Sequence, residues 1–64
     1  MGMPSSKAAC LEQIARLQGN IAQDQAGLGN INLSPGTKQM YKARIASNKA
    51  EIAKLRAHMK TLKN

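Results

Sequence analysis

Two long stretches free of proline, joined by a short segment rich in glycine and asparagine, leave this chain few folds. From Lys7 to Ala26 the one glycine is Gly19, and beyond Pro35-Gly36 neither glycine nor proline recurs. Pro4-Ser5-Ser6 places a serine acceptor beside the free N–H groups of a first helical turn. Ser34-Pro35 repeats the signal, with serine as N-cap and proline at the first helical position, where its missing N–H costs nothing. Gly27, Gly29 and Asn30 mark a stop between them. The pattern predicts helices over about residues 6–27 and 35–63, with a loop over about 28–34. A short connection between two helices makes an antiparallel helical hairpin. Met1-Gly2 reads as an expression leftover ahead of a native Met3 and is set aside.

Heptad spacing supports the same fold. With Ile14 at position a, the first helix carries Lys7, Cys10, Ile14, Leu17, Ile21, Asp24 and Leu28 at a and d. With Ile45 at a, the second carries Lys38, Tyr41, Ile45, Asn48, Ile52, Leu55, Met59 and Leu62. Antiparallel pairing then gives the layers Leu28–Tyr41, Asp24–Ile45, Ile21–Asn48, Leu17–Ile52, Ile14–Leu55, Cys10–Met59 and Lys7–Leu62. These layers close with a loop of ordinary length. The expected class is all-α and coiled-coil-like, in one domain spanning residues 1–64. Asn48 at a d position reads as a device that fixes register and oligomer state.

A second periodicity runs along the opposite side. Ala43, Ala46, Ala50, Ala53 and Ala57 recur at spacings of three and four. Ala8, Ala15, Gly19, Ala22 and Ala26 hold the matching positions of the first helix, with Glu12 the exception. Alanine is the best helix former and can simply fill exposed positions. The sharper alternative is a close-packed helix–helix interface. A 64-residue chain buries a small share of its surface, and one cysteine cannot make an internal disulfide. Self-association, as a dimeric four-helix bundle or a higher oligomer, is therefore expected.

Charge is concentrated in the second helix. The chain has 10 Lys+Arg against 3 Asp+Glu, a net charge of +7. Lys42, Lys49, Arg56 and Lys63 share one heptad position, about 10.5 Å apart at 1.5 Å per residue. Arg44, Lys54 and Lys60 broaden this ridge, with His58 close by. A solvated coiled-coil flank that keeps the chain in solution would normally alternate sign, whereas Glu51 is the lone acid here. The ridge therefore points to an acidic protein surface or to nucleic acid. Single-strand binders need aromatic platforms, and Tyr41 is the one aromatic side chain. The loop adds two aliphatics at its tip: Leu33, directly before the Ser34 cap, is placed for a hydrophobic staple, and Ile31 either covers the end of the bundle or anchors a partner.

The remaining classes fare poorly. Glu12 precedes Arg16 at i,i+4 and Glu51 precedes Lys54 at i,i+3, both ordinary helix pairs. Asp24 is the odd acid, on the seam near a helix C-terminus, where Lys42 or Arg44 could neutralise it. One carboxylate is no acid–base pair, and no nucleophile constellation or phosphate-cradling glycine loop is present. No catalytic residue, cofactor or metal site is expected; Cys10 with Met59 and His58 lacks any zinc spacing. No apolar run approaches the roughly 18 residues of a membrane span, and no secretory h-region is evident. The expected compartment is the cytoplasm. The leading expectation is a non-enzymatic interaction module, an inhibitor or adaptor of the kind bacteriophages also encode. The alternatives are a small nucleic-acid-binding regulator and an oligomer that sequesters an anionic small molecule between protomers.

Overall fold

The structure, a computed structural model, describes residues 3–30 and 32–62. Met1-Gly2, Ile31 at the loop tip and Lys63 on the ridge, each singled out above, lie outside the described residues. Two helices, α1 (Lys7–Leu28) and α2 (Pro35–Met59), pack against each other over a body of 47 × 17 × 15 Å. No strand is present among the described residues.

Each helix starts where a serine can cap it. Ser6 accepts from the Ala9 N–H at 3.1 Å, and Ser34 accepts from the Thr37 N–H at 3.3 Å with Pro35 directly after it. Both helices depart slightly from the expected bounds. Helix α1 runs through Gly27 to Leu28, and its C-cap, Gly29, is right-handed at φ −69°. The expected glycine stop therefore does not use the left-handed conformation. Gly27 serves a different need: a Cβ there would stand 3.2 Å from Cζ of Tyr41. The ring packs where a side chain would otherwise be. Helix α2 ends at Met59, about four residues short of the expected 63. Thr61 turns its N–H and its hydroxyl onto the His58 carbonyl, at 2.9 and 2.6 Å, and Leu62 N–H reaches Met59 O at 3.1 Å. These short-range bonds satisfy carbonyls that a further helical turn would have used. In the loop, Asn30 Oδ1 accepts from the Asn32 N–H at 2.9 Å, a local asparagine turn.

The core is the a/d seam. Cys10, Ile14, Ile21, Ile45, Ile52 and Leu55 are buried, with Leu17, Leu28, Met59 and Leu62 partly buried against them. Asn48 is half-buried on the same line. At the open end, away from the loop, His58 Nε2 lies 2.7 Å from the Pro4 carbonyl oxygen. A carbonyl can only accept, so the ring donates from Nε2. That bond ties the segment before α1 to the last turn of α2.

One charged residue sits in this seam. Asp24 is 3% exposed, and Arg44 Nη2 reaches its Oδ1 at 3.4 Å from a far more exposed position. Asp24 Oδ2 has no partner at all. Of the two cations expected to neutralise Asp24, α2 supplies Arg44. Its guanidinium also stands over the Tyr41 ring, 5.9 Å from the centroid, within cation–π range. Removing Arg44 would leave a buried carboxylate with no cation beside it. We expect Arg44→Ala to destabilise the hairpin by about 1–3 kcal/mol in urea unfolding, nearer the lower figure because Arg44 is solvated. Adding Asp24→Leu to that variant should recover most of the loss. A loss below about 0.5 kcal/mol for Arg44→Ala would show that the pair contributes no stability.

Candidate interaction surface

Helical geometry sorts the basic residues of α2 onto different sides. Residues seven apart return to nearly the same angle, so Lys42, Lys49 and Arg56 form one row beside the seam. Lys60 continues this flank one turn beyond Arg56. Arg44 and Lys54 are each five residues from Lys49, about 140° around the axis. Arg44 lies across the seam from the row and is engaged with Asp24, while Lys54 points away from α1. Among the described residues, Lys42, Lys49, Arg56 and Lys60 thus share one flank, all exposed.

The flank is basic along its described length. At the equivalent positions of α1 stand Leu11, Gln18 and Gln25, all uncharged and exposed. The two ion pairs among the described residues lie elsewhere. Glu12 and Arg16 meet at 3.2 Å on the exposed face of α1, as their i,i+4 spacing predicts. The other is the Asp24–Arg44 pair. The expected Glu51–Lys54 pair is absent. An exposed pair at that spacing gains little and must hold two long side chains in place.

The small-residue stripe faces solvent. Ala43, Ala46, Ala50, Ala53 and Ala57 are exposed, as are Ala8, Ala15, Gly19, Ala22 and Ala26. Within one hairpin the stripe touches nothing, so it stands free for either of the uses considered above. Leu11 at 57% and Met40 at 51% exposure are further apolar side chains open to water. Leu33, half-buried, sits directly before the Ser34 cap, in the place of a residue that steadies the helix entry.

Cys10 is fully buried among apolar side chains, and His58 directs Nε2 to Pro4. No group of three or more His, Cys, Asp or Glu side chains suited to a metal exists among the described residues. A shallow depression of about 420 Å³ lies at the open end, lined by Lys7, Arg56, Met59 and Lys60. Sequence spacing within α2 alone could not reveal it, because Lys7 comes from α1.

A row of like charges has a measurable cost. Neighbouring cations about 10.5 Å apart repel by roughly 0.4 kcal/mol per pair in water without salt. The screening length is about 10 Å at 0.1 M salt. We expect the thermal midpoint, followed by circular dichroism, to rise from low salt to about 0.5 M sodium chloride as the row is screened. A midpoint that falls with salt would mean that attractive pairs dominate the surface.

No family model, no curated protein and no solved structure matches this chain.

Proposed function

We propose that this chain is a non-enzymatic helical interaction module, an inhibitor or adaptor, that self-associates and engages an acidic protein surface. The contact surface in this reading is the flank of Lys42, Lys49, Arg56 and Lys60. The observation that carries it is the run of exposed cations with no acid beside it among the described residues, on the side of Leu11, Gln18 and Gln25 of α1. Such a surface attracts an acidic partner and accelerates its encounter. A protein partner is favoured over single-stranded nucleic acid because Tyr41 is half-buried against Gly27 and stands under Arg44. In this reading the module acts in the cytoplasm. No described helix is long and apolar enough to cross a membrane.

The uncovered surface of a single hairpin supports the self-association in this reading. Among the described residues the single hairpin buries six apolar side chains and leaves the alanine stripe uncovered. A second hairpin laid along that stripe would bring backbones close and cover surface that one chain leaves wet.

Two experiments test the proposal. The first is capture of partners from lysate, with and without nuclease, using Lys49→Gln with Arg56→Gln as the comparison. These substitutions keep most of each stem while removing charge, so the hairpin should stay folded. A stoichiometric protein that survives nuclease and is lost with the double variant is the expected outcome. Retention by the double variant at wild-type level refutes the flank as the contact surface, and loss of all bound material after nuclease assigns it to nucleic acid. The second is light-scattering mass across a concentration series, for the wild type and for Ala50→Glu. A wild-type dimer and a weakened assembly in Ala50→Glu are expected, since a buried charge and added bulk both oppose close packing. If the wild type is a monomer at high micromolar concentration with helicity intact, self-association is refuted. If mass and melting temperature are unchanged in Ala50→Glu, the stripe is exposed filler.

A further inference from the structure

We propose that the acidic partner presents an α-helix, laid along the hairpin beside the seam as a third coil, with its acids seven residues apart against Lys42, Lys49 and Arg56. The inference rests on the flank reading and adds the shape and spacing of what the flank takes. The three cations share one heptad position of α2 and are all exposed. At 1.5 Å per residue they stand about 10.5 Å apart, in a line about 21 Å long parallel to the helix axis. The three acidic side chains of the chain lie off this line. Glu12 is engaged by Arg16, and Asp24 by Arg44. Glu51 is two residues from Lys49, about 160° round the axis.

Spacing selects the partner's backbone. A second helix returns a residue to the same side every seven positions, so its acids repeat the 10.5 Å step and meet all three cations. A β-strand brings residues to one face every roughly 6.6 Å, so a strand aligned with Lys42 is out of step at Lys49. The α1 side of the flank suits a protein as well. Gln18 and Gln25 carry no charge, so nothing there repels an acidic helix. Leu11, 57% exposed, stands toward the open end, as Arg56 does, and offers an apolar contact that a helix side chain can cover and a phosphate backbone cannot. Ala46 and Ala53 sit about 60° beyond the row, so this helix and the second hairpin of the self-association reading lie against different sides of α2. A second copy of this chain does not supply such a helix, because Glu12, Asp24 and Glu51 are nowhere seven apart.

The test is titration of the full chain with two labelled alanine-rich peptides of about 24 residues, followed by fluorescence anisotropy at constant ionic strength. Both carry three glutamates in the same composition. One spaces them seven apart and the other five apart, which spreads them around the helix. Charge is then equal and alignment alone differs. The first peptide is expected to bind about 5- to 10-fold tighter, with a gain in its helical dichroism on binding. Lys49→Gln should weaken it about 2- to 5-fold. Lys54→Gln removes the same charge from the far side of α2 and should weaken it less than about 1.5-fold. Equal affinity for the two peptides, both weakened by Lys49→Gln, overturns the helical partner and leaves the acidic surface standing. Equal weakening by Lys49→Gln and Lys54→Gln overturns it as well, as general attraction to a basic chain. If neither peptide binds at millimolar concentration the helical partner is overturned, and lysate capture with the Lys49→Gln, Arg56→Gln double variant decides the acidic surface separately. A DNA duplex of about 20 base pairs that loses affinity through Lys49→Gln, with no preference between the peptides, overturns the proposal in favour of phosphate.

Discussion

Cys10, Ile14, Ile21, Ile45, Ile52 and Leu55 close on one another along the line where α1 and α2 meet. Everything else about this surface follows from that line. Once its phase is set, the side of each helix that carries a given residue is determined by counting at about 100° per residue. The basic row falls beside the seam, the alanines behind it, and Arg44 on the other side. A two-helix hairpin has no third layer, so each seam residue depends on one neighbouring helix and on the stems of flanking side chains for cover. Leu55 and Cys10 still reach complete burial.

Asp24 interrupts this apolar line at a cost. Its unpartnered Oδ2 and its place near the C-terminal end of α1 both oppose burial of charge. What it gains is a single cation in reach, on the side of α2 where Tyr41 also packs. Sliding α2 by one heptad would move Arg44 about 10.5 Å along the axis and leave the carboxylate alone. The pair thus penalises the shifted register more than an aliphatic at position 24 would.

Much of this was legible before any coordinates. Ser34 and the Ser5-Ser6 pair mark the helix starts by their chemistry, with the structure selecting Ser6 of the two, and the isoleucine and leucine spacing identifies the seam, down to Asp24 within it. The helix ends were read less well, because the turn at Thr61 depends on a hydroxyl finding the His58 carbonyl. Gly27 looked like part of a stop signal, yet it is a packing position against Tyr41, and a contact across the hairpin leaves no trace in local sequence. The reach of Arg44 or Lys42 to Asp24 is also legible from spacing, and the contact across the hairpin selects Arg44. The hollow at the open end was missed because it joins residues 49 positions apart, Lys7 and Arg56.

Tyr41 has a consequence of a different kind. It is the one aromatic side chain in the chain, and it sits at the loop end, against Gly27 and beneath Arg44. Its ultraviolet absorbance and emission therefore report on one end of a rod 47 Å long. Backbone dichroism averages over both helices. The protein thus carries a built-in optical label with a fixed address, and any difference between the two signals measures fraying that begins at one end and not the other.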